Sequence, residues 1–190
     1  MASRPQRPQD ERLVIGITGR IGSGKTTVGR YLESRHGFQY LRYSEVLAEW
    51  RAKDPESKAH LQKVGWEVMA GGMQAELNRR LIARIMPDAD VTVDGLRHAL
   101  DYETLKDSFS TAFRLLYIDS PPQLRFERLN RKGKYADFAS FDAADSHAVE
   151  QHIESLRANA AVVIRNEGSL QDLYMAVDEP VRSFRKEGQS

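Results

Sequence analysis

The sequence predicts an α/β fold of three layers, in which helices cover both faces of a central parallel sheet of about five strands. Short apolar runs rich in β-branched residues alternate with segments of helix-forming composition. This alternation is typical of parallel strands joined by helices. The first apolar run, residues 13–18 (LVIGIT), leads directly into a glycine-rich turn. Because 190 residues suffice for one substantial core, we expect one domain over residues 12–190.

The first half of the chain continues with a helix, a strand and a helical insertion. Residues 28–36 have helical composition and end at a glycine, which predicts a helix, and residues 38–41 predict a second strand. Residues 43–86 are rich in helix formers and are interrupted at 53–57 (KDPES) and 70–72 (AGG). This pattern predicts an insertion of about three helices.

The second half alternates strands with helices and contains one polar loop. Residues 132–146 (KGKYADFASFDAADS) contain a glycine and have little apolar periodicity, so we expect a mobile loop that acts as a short lid. The elements predicted around it are strands over 91–93, 113–118 and 161–165, and helices over 121–131, 146–159 and 169–184.

Composition excludes several classes of function. With 28 Lys and Arg against 27 Asp and Glu, the net charge is +1, so we expect neither a nucleic-acid partner nor a membrane surface. The absence of cysteine excludes disulfides, thiol nucleophiles and thiolate-bound zinc, and suits the cytoplasm. Residues 1–11 are polar and rich in proline and arginine, which predicts a disordered tail. No sequence feature indicates an oligomeric state.

The glycine-rich turn matches the pattern G-x-x-x-x-G-K-[ST] in full, after a predicted strand and before a predicted helix. In such a phosphate-binding loop, or P-loop, the glycines let backbone N–H groups point at one anion at the positive end of the helix. The lysine then meets the β- and γ-phosphates and the threonine binds Mg²⁺. The motif predicts a nucleoside triphosphate bound by Gly19, Arg20, Ile21, Gly22, Ser23, Gly24, Lys25, Thr26 and Thr27.

Two predicted strands end in an acidic residue. Asp94 follows the strand 91–93 and has the position expected of a group that binds the metal together with Thr26, directly or through water. Asp119 ends the strand 113–118, but two prolines follow it. Its position suits a turn as well as a site.

Basic residues gather around the predicted lid. The three arginines in this group are spaced three residues apart, so a helix would bring them near one face. Cations supplied by a closing lid stabilise the charge of a transferred phosphoryl group, which makes Arg128 and Arg131 catalytic candidates. The alternative is a solvated face paired with nearby acids. The group comprises Arg125, Arg128, Arg131, Lys132 and Lys134.

Other polar and apolar residues favour structural roles. The five histidines have no metal-binding spacing. Trp66, Met69 and Met73 are interpreted as core residues of the insertion. The remaining acids of the lid, Asp137, Asp142 and Asp145, are interpreted as a solvated loop.

Together the motifs resemble the small P-loop kinases, namely nucleoside monophosphate kinases, dephospho-CoA kinases and related archaeal-type nucleotide kinases. The likeness runs from IGITGRIGSGKTTVGRYL through VDGLR and YIDSPPQLRFERLNRKGK to VIRNEGSLQDL. It implies ATP and Mg²⁺ as cofactors and a small nucleotide as acceptor. DGLR is one residue shorter than the DG-x-x-R stretch of monophosphate kinases but is similar to it, and this likeness implies that Arg97 binds the acceptor phosphate and that Asn166 to Gly168 lie near the adenine.

One stretch departs from the dephospho-CoA kinases, which carry a D-x-D-like acidic motif after the second strand. This chain has Leu41-Arg42-Tyr43-Ser44-Glu45 there. Glu45 could replace the missing base, or Ser44 could be both the N-cap and a ligand at the start of an acceptor-binding helix.

The sequence thus predicts an ATP- and Mg²⁺-dependent kinase acting on a nucleoside or deoxynucleoside monophosphate, because a phosphate acceptor needs positioning rather than a base. Dephospho-CoA is the alternative acceptor. A P-loop NTPase with a regulatory or nucleic-acid-linked role is the alternative class.

Overall fold

The computed structural model describes residues 12–51, 58–146 and 148–188. The predicted disordered tail, residues 1–11, lies outside the described residues. Within the described ranges no helix is long and apolar enough to cross a membrane.

These residues form five strands and nine α-helices. The strands are β1 (Val14–Thr18), β2 (Gln39–Arg42), β3 (Val91–Asp94), β4 (Phe113–Asp119) and β5 (Val162–Arg165). The helices are α1 (Lys25–His36), α2 (Tyr43–Arg51), α3 (Lys58–Ala70), α4 (Gln74–Ile82), α5 (Ala99–Phe109), α6 (Pro122–Asn130), α7 (Phe138–Asp145), α8 (Ala148–Ser155) and α9 (Leu170–Glu187). Short 3₁₀ turns follow α5 at Ser110–Ala112 and α8 at Leu156–Asn159.

The five strands form one parallel sheet in the order β2-β3-β1-β4-β5. The central strand β1 is buried along its whole length. Because all strands run the same way, their carboxyl ends meet at one edge of the sheet, where open α/β folds bind ligands. The predicted parallel sheet of five strands is confirmed.

Each face of the sheet has its own hydrophobic core. Val14 belongs to the core that packs beneath α2, α3, α4 and α5, whereas Ile15 and Ile17 belong to the core beneath α1 and α9. Side chains alternate between the faces of a strand, so one short apolar run supplies both cores. The three-layer α/β/α architecture predicted from the sequence is therefore confirmed.

Several elements differ from the prediction. Helix α1 begins at Lys25, three residues before the expected start. Helix α5 was not singled out from the sequence, because it buries only Asp101 and Leu105 and so has little apolar periodicity. The segment 132–146, predicted to be a loop, contains α7, whose N-cap Asp137 accepts a hydrogen bond from the backbone N–H of Ser140.

The helical insertion contains three helices, α2 to α4, as predicted. The core assignment of its large side chains was only partly right. Met73 packs against the core, and Met69 is half-buried. Trp66 is 38% exposed and was wrongly assigned to the core.

Candidate active site

The loop between β1 and α1 has a shape that requires glycine. Gly19 and Gly24 have φ angles of 137° and 109°, which side chains rarely allow. A Cβ atom at Gly19 would collide with the carbonyl oxygen of Ile118, and one at Gly24 with the side-chain amide of Asn166. The loop is therefore packed tightly against β4 and the segment after β5.

This loop carries groups that suit a phosphate chain. It leads into α1 at Lys25, so the N–H groups of the first helical turn, which a helix does not pair internally, lie at its end. The Ser23 hydroxyl is buried and has no hydrogen-bond partner among the described residues. The Nζ of Lys25 donates to the carbonyl oxygens of Gly19 at 2.5 Å and Arg20 at 3.0 Å, so its ammonium group lies across the loop. The backbone shape of this loop and the donors around it thus suit an anion such as phosphate.

A carboxylate lies beside the start of α1. Asp94 ends β3, directly opposite Ile17 of β1, and is 4% exposed. Its Oδ2 accepts hydrogen bonds from the Thr26 hydroxyl at 3.2 Å and from the Tyr40 hydroxyl at 2.6 Å. The structure therefore brings together Thr26 and Asp94, the two residues predicted to bind the metal.

This pair of oxygen groups fits Mg²⁺. Magnesium in phosphotransfer sites is usually held by one or two carboxylates together with substrate phosphates and water, so a hydroxyl and one carboxylate next to the loop are sufficient. Within the described residues no group of three or more acidic or histidine side chains could hold a metal by itself. Burial, followed by the nearby negative charge of Asp94, raises the pKa of Tyr40, which keeps its hydroxyl a proton donor to the carboxylate.

The end of β2 adds a cation to this edge of the sheet. Arg42 is the register partner of Asp94, and its Nε lies 3.8 Å from Asp94 Oδ2. Its Nη1 donates to Glu45 Oε1 at 3.1 Å. Helix α2 begins at Tyr43, so Ser44 lies in the first turn and is not the N-cap that the sequence suggested. Two of the three predicted acceptor residues, Ser44 and Glu45, therefore lie beside the Asp94 end of the sheet.

The loop after β3, which carries Arg97, is fixed by a buried carboxylate. Asp101 accepts hydrogen bonds from the backbone N–H groups of Arg97 and His98, each at 3.0 Å, and from the Gln74 side chain at 2.6 Å. Burial raises the pKa of Asp101 despite these hydrogen bonds. The backbone of Arg97 is thus held three residues beyond Asp94 at the carboxyl end of β3.

Arg128 of α6 contacts the segment after β5. Its guanidinium donates to the Ser120 hydroxyl at 2.9 Å and to the carbonyl oxygen of Asn166 at 3.0 Å. The Asn166 side chain in turn donates to the carbonyl of Ser23 at 2.8 Å. Gly168 follows, exposed, in the same segment. Arg128 therefore joins α6 to the residues predicted to lie near adenine.

The three arginines in and directly after α6 do not share one basic face, in contrast to the prediction. Arg125 and Arg131 are six residues apart, so their side chains point in directions about 120° apart around the helix axis. This difference is enough to place one on the buried side and the other on the exposed side. Arg125 is 2% exposed and pairs with Asp145, whereas Arg131 is exposed, with its Nε 3.4 Å from the carbonyl of Glu127. Burial and the neighbouring charge of Arg131 lower the pKa of Arg128, which lies between the two.

Asp145 was wrongly interpreted as part of a solvated loop. It is the last residue of α7 and is 4% exposed, because α7 packs against α6 and places this carboxylate on Arg125. Asp137 caps α7 and Asp142 is exposed. For Asp119, the remaining acid, an ion pair with Arg157 at 2.9 Å favours a structural role.

Sequence reasoning missed three polar residues of this site: Tyr40, Arg42 and Ser120. Tyr40 and Arg42 lie on β2, whose neighbour is β3, so their contact with Asp94 depends on the strand order. The sequence offered one signal for this contact: β2 ends in the basic Arg42 and β3 ends in the acidic Asp94. Ser120, directly after β4, carried no such signal.

Comparison with known sequences identifies relatives over nearly the whole chain. The sequence profile AAA_18, described as an AAA domain, matches residues 15–151. A UPF0200 protein of Pyrobaculum aerophilum is 28% identical over 179 residues, covering 90% of this chain and 98% of the relative. A dephospho-CoA kinase of Streptococcus mutans is 23% identical over 201 residues, covering 92% of this chain and 98% of the relative.

Solved structures share the fold. TT1252 from Thermus thermophilus has a TM-score of 0.61 at 21% identity, covering 90% of this chain and 97% of its own. Shikimate kinase from Acinetobacter baumannii, in complex with shikimate, has a TM-score of 0.55 at 20% identity, covering 93% and 98%. Because the profile match spans most of a chain with a P-loop and this fold, the protein belongs to the AAA_18 family of AAA domains and is a small P-loop nucleotide kinase-like protein.

Proposed function

We propose that the protein transfers the γ-phosphoryl group of ATP, with Mg²⁺, to a nucleoside or deoxynucleoside monophosphate. The observation that carries the proposal is the contact between Thr26 and Asp94 beside a P-loop whose Ser23 hydroxyl is buried without a partner among the described residues. This arrangement supplies phosphate-binding and metal-binding groups at one point. The absence of cysteine is consistent with a cytoplasmic reaction.

Different residues would bind the phosphates, hold the metal and orient the metal-binding carboxylate. Backbone N–H groups of the P-loop and Lys25 would bind the phosphates, and Thr26 and Asp94 would hold Mg²⁺. When bound, Mg²⁺ supplies positive charge against the oxygens of the transferred group. Tyr40 orients Asp94 through its hydroxyl. Since phosphoryl transfer depends mainly on position and charge, these groups are sufficient for the chemistry.

The acceptor side favours a phosphate over a hydroxyl group. A hydroxyl acceptor needs a carboxylate to accept its proton, but Asp94 already accepts two hydrogen bonds and Glu45 is paired with Arg42. A phosphate acceptor is already a nucleophile and needs cations instead. Arg42 and Arg97, both at the carboxyl edge of the sheet, are suitable cations.

Dephospho-CoA is the second candidate acceptor. The similarity to the dephospho-CoA kinase of Streptococcus mutans, over 92% of this chain, favours it. In that case Glu45, whose side chain is 50% exposed, would leave its ion pair with Arg42 and accept the proton of the acceptor hydroxyl. A carboxylate with this freedom can act as a general base.

The lid is also part of the proposal. Residues 132–137 are mostly exposed and precede α7, whereas Phe141 and Asp145 of α7 are buried. We therefore assign the closing movement to residues 132–137, with Arg131 and Lys132 brought toward the phosphates.

A screen of acceptors tests this function. The purified protein is incubated with ATP, Mg²⁺ and each of the common nucleoside monophosphates, their deoxy forms and dephospho-CoA. We expect ADP to form in proportion to a phosphorylated monophosphate. Product from dephospho-CoA alone would contradict the preferred acceptor, and free phosphate without any phosphorylated acceptor would indicate an NTPase.

Arg97→Lys tests the acceptor assignment. Arginine binds phosphate through paired donors that lysine cannot copy, so we expect the apparent Michaelis constant of the acceptor to rise by about tenfold or more while that of ATP changes little. Steady-state kinetics with each substrate varied in turn measures both constants.

Arg79→Lys is the control, because Arg79 is exposed on α4 and should tolerate the change. If Arg97 instead only fastens the loop after β3, the melting temperature of the variant will fall while its apparent Michaelis constant for the acceptor stays unchanged. That result would remove Arg97 from the acceptor site.

A further inference from the structure

We propose that Asp145 is a positioning residue of the nucleotide site: it holds the apex of the P-loop in place through Arg20 and Arg125. The proposal rests on the proposed function only where it takes ATP as the ligand of the loop. Asp145 lies in α7, far from the loop in sequence, and its carboxylate is buried between the two guanidinium groups.

The first connection runs through Arg125. Its Nη1 and Nη2 donate to the two carboxylate oxygens of Asp145 at 2.5 and 2.8 Å, a bidentate pair. The same Nη1 donates to the carbonyl oxygen of Ile21 at 3.1 Å, and the Nε donates to the carbonyl of Ser120 at 2.9 Å. Asp145 therefore fixes the orientation of a guanidinium group that itself binds the P-loop backbone.

The second connection is direct. Arg20, the residue after the first glycine of the motif, donates from Nη1 to Asp145 Oδ2 at 3.1 Å. The backbone carbonyl of Arg20 accepts hydrogen bonds from Lys25 Nζ and from the backbone N–H of Ser23. By holding the Arg20 side chain, the Asp145 carboxylate thus helps to fix a residue whose carbonyl joins two other parts of the loop.

Asp145 is itself held rigidly. Phe141, one turn earlier on α7, is fully buried and contacts the rings of Phe126 and Tyr135. The guanidinium of Arg125 lies 5.3 Å from the centre of the Phe141 ring. Because α7 is anchored in this way, its last residue offers a fixed point against which the loop can be positioned.

The direction of the effect on ATP affinity separates positioning from simple electrostatics. Removing a negative charge beside a phosphate site should tighten ATP binding if charge alone mattered. If Asp145 positions the loop, its loss should weaken ATP binding, because the loop must then be ordered when the phosphates bind. A role confined to fastening α7 would leave ATP affinity unchanged.

The test uses Asp145→Asn, with Asp142→Asn as the matched control, since Asp142 is exposed on the same helix. ATP dissociation constants are measured by calorimetry in Mg²⁺, and hydrogen exchange of residues 19–24 is measured without nucleotide. For Asp145→Asn we expect about tenfold weaker ATP binding, the loss typical of one charge-assisted hydrogen bond, and faster exchange of the loop. The control should match the wild type in both measurements.

Arg20→Gln provides a second variant in case Asp145→Asn does not fold, because it keeps the buried pair of Arg125 and Asp145. It should also weaken ATP binding and speed exchange of the loop. Unchanged exchange of residues 19–24, or unchanged or tighter ATP binding, in the folded variants would overturn the positioning role. The exchange measurement needs neither ATP nor an acceptor, so a wild type that fails to bind ATP would count against the proposed function alone.

Discussion

Replacing Lys25 with alanine is expected to lower the rate of phosphoryl transfer by about 10²- to 10³-fold, the usual loss when one preorganised charge contact to a transition state is removed. Lys25 is half-buried at the start of α1, and its Nζ lies across the P-loop on the carbonyl oxygens of Gly19 and Arg20. From this position the ammonium group can meet the charge that develops on the transferred phosphoryl group.

The fold should survive this change. The side chain of Lys25 belongs to neither hydrophobic core, and the two carbonyl oxygens that it leaves lie in a partly exposed loop where water can reach them. We therefore expect a melting temperature close to that of the wild type together with the loss of turnover.

Turnover is measured as ADP formed with the acceptor that the screen identifies, and melting is followed by circular dichroism. Lys106→Ala is the control, because Lys106 is an exposed lysine on α5 and should keep normal turnover. A Lys25→Ala protein with turnover near that of the wild type would exclude the P-loop as the catalytic centre.

The sequence was sufficient for those parts of the fold whose signal is local. The run LVIGIT and the glycine pattern after it are contiguous, so β1, the P-loop and α1 could be predicted together. Helix α5 could not, because it buries only two of its residues and one of these is the polar Asp101. Helix α7 was missed for a related reason, since its burial depends on one aromatic side chain, Phe141, and one carboxylate.

In the candidate site, too, residues of one contiguous motif could be predicted, whereas residues brought together by the strand order could not. Lys25 and Thr26 belong to one motif, whereas Tyr40 and Arg42 meet Asp94 only because β2 lies beside β3 in the sheet. Residue types predict such contacts only when the strand order is known. The buried pair of Arg125 and Asp145 was beyond sequence reasoning, because charged residues are usually exposed. The sequence predicted a basic face that includes Arg125 and a solvated loop that includes Asp145.

Replacing Arg125 with methionine is expected to lower the free energy of unfolding by about 3–5 kcal/mol, because removing one partner of a buried ion pair leaves the other charge without compensation. Among the described residues, Asp145 would keep only the hydrogen bond from Arg20, and the carbonyl oxygens of Ile21 and Ser120 would lose a donor. Urea denaturation at neutral pH measures the change.

The control is Arg131→Met, the same substitution on an exposed residue at the end of α6. A change of about 0.5 kcal/mol or less is expected there, as for most surface positions. Equal effects of the two substitutions would mean that burial of the pair with Asp145 contributes nothing to stability.

The double variant Arg125→Met/Asp145→Leu should regain most of the stability that Arg125→Met loses, because a buried ion pair can often be replaced by apolar side chains without a net loss. Both new side chains would lie near the buried ring of Phe141, which contacts the guanidinium of Arg125 in the native protein. ATP binding should nevertheless stay weak, since the apolar pair cannot donate to the Ile21 carbonyl or hold Arg20. Urea denaturation and ATP calorimetry on the same preparation would detect this separation, and full recovery of both quantities would show that the ion pair serves stability alone.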